Sequence, residues 1–143
     1  MVEEAEAECK SAEPNDRLFR RVLKRPDFFK VVDPLTGAKR PQPAALSYSD
    51  GDVDGLSTYV ERLLIEFGIP SEKLCSDWEK HAVVRFSVRI VQNGGATVVI
   101  TPDHSDPIIG KAHASIPKPN NWKEIRLKII QNCEYFESDP KCS

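Results

Sequence analysis

Apolar residues along the chain fall into short runs whose spacing changes from one stretch to the next. Leu18, Phe19, Val22 and Leu23 recur at helical spacing behind Asp16, a good N-cap, and Pro26 ends the run, which predicts a short helix. Residues 44–48 read as a short strand. Thr58 and Glu61 form a capping-box pair ahead of Tyr59, Leu63, Leu64 and Phe67, and Gly68 with Pro70 terminates that second helix. Strict alternation follows, with Val84, Phe86, Val88 and Ile90 apolar and Arg85, Ser87 and Arg89 polar between them. Asn93-Gly94-Gly95 supplies residues that tolerate positive φ, and residues 97–101 make the return strand of a hairpin over 82–101. After Pro102, Pro107 and Gly110 a third strand is predicted over 112–116. A last helix over 122–136 presents Trp122, Ile125, Ile129, Ile130 and Cys133 on one stripe.

This order predicts an α+β fold: a mainly antiparallel sheet built on the central hairpin, with helices packed on one face. Arg85 and Arg89 then lie on the opposite, wet face. The organisation expected is a disordered acidic arm over 1–15, one domain over 16–137 and a flexible tail over 138–143.

Composition narrows the class. The chain has 143 residues, 40% of them hydrophobic and 29% charged, which is enough to bury a core and ordinary for a globular domain. The net charge of −2 argues against a dedicated nucleic-acid binder, so nucleic acid is not the favoured partner. No apolar run approaches the length of a membrane helix, and the acidic first residues do not read as a secretory signal, so a cytoplasmic protein away from membranes is expected. The four cysteines, Cys9, Cys75, Cys133 and Cys142, are irregularly spaced and read as reduced thiols.

Three constellations carry chemistry. Asp50, Asp52 and Asp54, with Gly55 and Glu61, fit D-x-D-x-D-G-x5-E and resemble one EF-hand calcium loop, in which alternate carboxylates converge on a hard cation. Against a calcium site stand Ser57 at the eighth position, a proline-bearing entry segment and no sister loop, so no cofactor is the favoured reading and Ca2+ the alternative. Asp103, His104, Asp106 and His113 form a second cluster, able to hold a transition metal or to use His113 as a general base oriented by Asp106. His113-Ala114-Ser115 matches one half of a two-histidine phosphoesterase signature, but no second half exists. Nucleophile elbows, P-loops and dinucleotide fingerprints are absent.

Asp54-Gly55-Leu56-Ser57, then Asp106-Pro107 and His113-Ala114-Ser115-Ile116, resembles the D-G-L-S … D-P … H-A-x-I pattern of short uncharacterised bacterial proteins. The resemblance implies that Asp54, Ser57 and His113 form one site. Charge is the third clue: residues 17–40 are rich in Arg and Lys while 48–80 are acidic. Arg20 and Arg21, with Arg85 and Arg89, make a basic surface for a protein partner. The leading expectation is a small cytosolic interaction protein without catalytic activity. The runner-up is a hydrolase or phosphate-directed enzyme using His113 with Ser57, Asp54 or Asp106, and the third is the calcium loop.

Overall fold

The computed structural model describes residues 11–48 and 55–141. The fold is α+β and its sheet is mainly antiparallel. The strands are β1 (Arg17–Leu23), β2 (Phe29–Asp33), β3 (Ala38–Pro41), β4 (Leu56–Val60), β5 (His81–Ser87), β6 (Val99–Ile100), β7 (His113–Ile116) and β8 (Glu134–Phe136). The helices are α1 (Glu61–Glu66), α2 (Val88–Asn93) and α3 (Trp122–Asn132). Among the described residues, a six-stranded sheet runs β6-β7-β4-β1-β5-β8, and β2 with β3 forms a separate hairpin.

The central strand β1 falls where helical spacing predicts a helix. Leu18 and Phe19 are adjacent and both fully buried, which a strand covered on both faces allows and an amphipathic surface helix does not. Every residue of β1 pairs with β5, from Arg17↔Ser87 to Leu23↔His81, and this ladder outweighs the weak local preference. One face of the sheet carries Leu18, Val22, Ala82, Val84, Phe86, Val60 and Ala114. The helices α2 and α3 and the turn Pro43–Leu46 cover this side, with Trp122, Ile125, Ile129 and Leu46 buried in the same core. The 44–48 stretch is this 3-10 turn rather than a strand, and the Trp122 indole donates to the Leu46 carbonyl at 2.8 Å.

The expected hairpin over 82–101 does not form. Alternation ends at Ser87, whose hydroxyl accepts from the Arg89 N–H at 3.1 Å and starts α2, burying Val88 and Val91 three residues apart. The returning β6 then pairs with β7 instead of β5. The capping box also dissolves. Thr58 lies within β4 and donates to the Ala114 carbonyl at 3.0 Å, while α1 starts at Glu61 with no side-chain cap. Residues 11–15 belong to the folded body rather than to an arm, since Ser11 bridges Val99, Ala12 is buried and its N–H donates to Val98.

Arg85 is the largest correction to the surface. Its side chain is only 12% exposed, and its guanidinium binds Glu61 Oε2 at 2.9 Å and Glu134 Oε2 at 2.7 Å. Phe136 and Phe19 stack on either side of it, at 4.9 and 5.8 Å. Arg89 is exposed and binds the Asn15 side chain at 2.8 Å; it sits in α2, not on the strand face. Asp16 and Arg62 form a further buried-to-surface pair at 2.8 Å.

Cys75 is buried, and burial pushes its thiol up to about 11 despite the opposing charges of Arg21 and Lys24. Burial raises Cys133 as well. Since the thiolate is the nucleophile, neither thiol should react quickly with a maleimide at pH 7.5 in the folded protein. Peptide mapping after a short pulse should find both unmodified, and both labelled once the chain is unfolded in guanidinium. Rapid native labelling of Cys75 would contradict its burial.

Candidate active site

The strands β4 and β7 pair with the register Ser57↔Ser115 and Tyr59↔His113. These four side chains therefore share one face of the sheet, the one opposite α2 and α3, with the His113 ring diagonal to Ser57 and within reach of it. Ser57 Oγ lies 2.6 Å from His113 Nε2. On the ring's other side, Nδ1 is 2.8 Å from the Thr101 carbonyl and 2.9 Å from Thr101 Oγ1. A carbonyl only accepts, so the ring proton resides on Nδ1 and Nε2 offers its lone pair to the Ser57 hydroxyl. Thr101 Oγ1 reaches on to Ser115 Oγ at 2.8 Å, which completes a polar chain across β6, β7 and β4.

This is the geometry of a nucleophile, a base and an orienting group. The orienting group is a backbone carbonyl. Asp106, expected in that role, serves its own loop: its Oδ1 accepts from the N–H groups of Ile108 and Ile109. Asp103 does likewise with Ser105, whose hydroxyl and N–H hold its carboxyl below the ordinary value. The loop is tight because a Cβ on Gly110 would lie 1.9 Å from the Asp103 carbonyl oxygen. Both carboxylates still bear on the site at longer range. The Tyr59 phenol, edge-on to the His113 ring at 5.5 Å, is raised chiefly by its burial, with Arg21 opposing and Asp106 adding to the rise. Tyr59 therefore stays protonated through neutral pH.

On the other side of β4 the sheet opens. Among the described residues, β1 pairs with β4 only at Leu18↔Val60 and Phe19↔Tyr59, and beyond that point the strands part. A cleft of about 610 Å3 occupies the gap, with Ser57 and Tyr59 on one wall, Arg20 and Arg21 on another, and Phe28 and Tyr48 at its apolar end. Arg20 donates to the Ser57 carbonyl at 3.0 Å, which fixes its guanidinium beside the hydroxyl-bearing residue. Arg21 is exposed and donates to the Leu74 carbonyl at 3.2 Å.

Of the residues singled out from sequence, the structure thus joins Ser57 with His113 and places Arg20 and Arg21 next to them. Asp50, Asp52 and Asp54 lie outside the described residues. Glu61 spends Oε1 on Arg17 at 2.6 Å and Oε2 on Arg85. No group of His, Cys, Asp and Glu side chains able to hold a metal ion occurs among the described residues, so Asp103, His104, Asp106 and His113 do not form one. Thr101, Ser115 and Tyr59 were not foreseen; only strand register could have revealed them. No helix among the described residues is long and apolar enough to cross a membrane.

Fold and site together define an α+β domain with a serine hydrogen-bonded to a histidine on the wall of an arginine-bearing cleft. Comparison with family models, with curated proteins and with solved structures finds no match to the chain.

Proposed function

We propose that this protein is a hydrolase that uses Ser57 as its nucleophile and His113 as its general base. The observation that carries the reading is the 2.6 Å approach of Ser57 Oγ to His113 Nε2, with Nδ1 committed to the Thr101 carbonyl. It is favoured over a non-catalytic interaction protein because Arg85, one of the cations expected on a partner surface, is consumed in internal ion pairs. Arg21 and Arg89 remain exposed and would be the residues through which a protein partner is met, should one bind. A cytoplasmic location fits the reduced, unpaired Cys75 and Cys133.

The reaction needs no group beyond those in place. Ser57 Oγ attacks the electrophilic atom of an ester as its proton passes to His113 Nε2. The new Oγ bond forms while the bond to the leaving alkoxide breaks, and Nε2–H returns the proton to that oxygen as the alcohol departs. Water then repeats the sequence, giving its proton to Nε2 and regenerating the Ser57 hydroxyl on release of the acid. Arg20 donates to the Ser57 backbone carbonyl and so holds the nucleophile's main chain in place.

The test is turnover of a panel of p-nitrophenyl esters: acetate, butyrate, phosphate and the phosphodiester. At least one should be hydrolysed by the wild-type chain, and Ser57→Ala should lower that rate by about 100-fold or more, in line with the worth of a catalytic nucleophile and its base. Equal rates for wild type and Ser57→Ala, or no turnover of any of the four, would overturn the assignment.

A further inference from the structure

We propose that Arg21 and His81 form the phosphate-recognition half of the Ser57 cleft, and that its ligand is a phosphate ester of an apolar organic body. This deepens the assignment of Ser57 as nucleophile and rests on it for where the scissile bond lies. Binding of the phosphate is a separate, measurable property.

Strand geometry brings the groups together. Phe19 pairs with Tyr59 on one side and with Arg85 on the other, so two steps along each strand set Arg21, Ser57 and Val83 on one face of the sheet. One step pair further, Leu23 stands opposite His81, which puts the His81 ring diagonal to Arg21 and on the same face. Both residues line the cleft that holds Ser57. Arg21 makes no ion pair among the described residues; its guanidinium donates to the neutral Leu74 carbonyl at 3.2 Å. No Asp or Glu lines the cleft among the described residues, so the positive charge of Arg21 faces it uncompensated from those walls.

His81 adds a second group to the wall. Its Nδ1 is shielded from solvent and has no hydrogen-bond partner among the described residues, so Nδ1 is not the atom that meets the cleft. The residue as a whole is part-exposed and lines the cleft, and through that exposed part its ring can bring an N–H to a ligand oxygen. A guanidinium offers a planar fork of donors matched to two phosphate oxygens, and an imidazole N–H supplies a third donor at a different angle, which suits a tetrahedral oxyanion better than a flat carboxylate. Beside the polar Arg25 and Ser47, the lining includes the apolar Val22, Leu23, Phe28, Ala44 and Ala45, a surface that suits an apolar or aromatic body on the ligand.

The experiment measures binding to the full chain by calorimetry, using phenyl phosphate, inorganic phosphate, benzoate and phenol as probes. Phenyl phosphate should bind, inorganic phosphate more weakly for want of the apolar body, and benzoate and phenol at least 10-fold more weakly than phenyl phosphate. Arg21→Ala and His81→Phe should each weaken phenyl phosphate by 10-fold or more, whereas Ser57→Ala should still bind it. Arg21 is exposed, so Arg21→Ala should keep the wild-type circular dichroism and melting temperature, and that control shows that lost affinity is local. Undiminished binding to folded Arg21→Ala, benzoate binding as tightly as phenyl phosphate, or no binding of phenyl phosphate to the wild type would overturn the proposal. If Ser57→Ala retains wild-type turnover while Arg21→Ala loses phosphate affinity, the nucleophile assignment fails and the phosphate site stands.

Discussion

His113→Asn is expected to cut turnover of the best ester substrate by about 100- to 10,000-fold, the usual range for removing a general base. Asparagine is chosen because its amide N–H can still donate toward the Thr101 carbonyl, which His113 Nδ1 meets at 2.8 Å, while nothing remains where Nε2 met Ser57. The substitution therefore separates the two ends of the ring. The loss should fall on kcat with KM nearly unchanged, because proton transfer to Nε2 matters in the transition state and not in ground-state binding. Stability should drop by only about 1 kcal/mol, the net value of one hydrogen bond. Thermal melts alongside the kinetics decide the matter. A large fall in melting temperature with turnover preserved in the remaining folded protein would make His113 a structural residue that ties β4, β6 and β7 together.

Glu61→Ala is expected to be the most destabilising single change at the charged network. Glu61 is 7% exposed and accepts from Arg17 and from the nearly buried Arg85. Deleting one partner of a buried pair leaves its cation short of a counter-charge, a change that typically costs about 3–5 kcal/mol. Arg85 keeps Glu134, and Arg17 is half-exposed, so the lower end applies, about 3 kcal/mol. For a domain of this length that corresponds to a fall of roughly 9 °C in melting temperature. Glu61→Gln, which keeps the volume and an accepting oxygen, should lose less. An unchanged melting temperature for Glu61→Ala would mean that the network contributes nothing to stability.

The same network sets an acid limit. The hydrogen bond from Arg85, assisted by the charges of Arg85 and Arg17, holds the Glu134 carboxyl below its ordinary value of 4.5, burial opposing. A depressed folded-state value means that the stabilisation is fully present above the unfolded value and is lost as pH falls through the folded one. Melting temperature should therefore decline below about pH 4.5, and the decline should be shallower in Glu134→Gln. Since half of the Glu134 side chain is exposed, the effect should also shrink in high salt.

Local signals were sufficient where one physical force dominated. The stripe of Trp122, Ile125, Ile129 and Ile130 forms α3 because burying one face of an amphipathic segment needs only a surface to lie on, and Pro102 and Gly110 do break the chain before β7. The helix was read too long at its end, where Glu134 pairs with Arg85 across β5·β8 and draws 134–136 into the sheet. Local spacing misleads at β1 and at α2. Leu18, Phe19, Val22 and Leu23 fit helical spacing yet lie in a strand, and the alternation through Val88 and Ile90 runs past the point where the strand ends; the choice fell to the β1·β5 ladder and to the Ser87 cap.

The composition of the site was legible, since Ser57 and His113 were singled out together by short motifs. Its architecture was not. Asp106 was the natural orienting group from its nearness in the chain, but the carboxylate is occupied by its own turn, and the Thr101 carbonyl, invisible to any reading of side chains, takes its place. By itself the sequence determined the class of fold, the last helix, the strand of His113 and the residue types able to carry proton transfer, because burial patterns and side-chain chemistry are properties of segments. Only tertiary structure decided that β1 is a strand, that Arg85 is an internal cation and that β1 parts from β4 to open the Ser57 cleft. The strand and ion pairs behind these three features join residues 24 or more positions apart, and no local pattern records which of the competing partners each will meet.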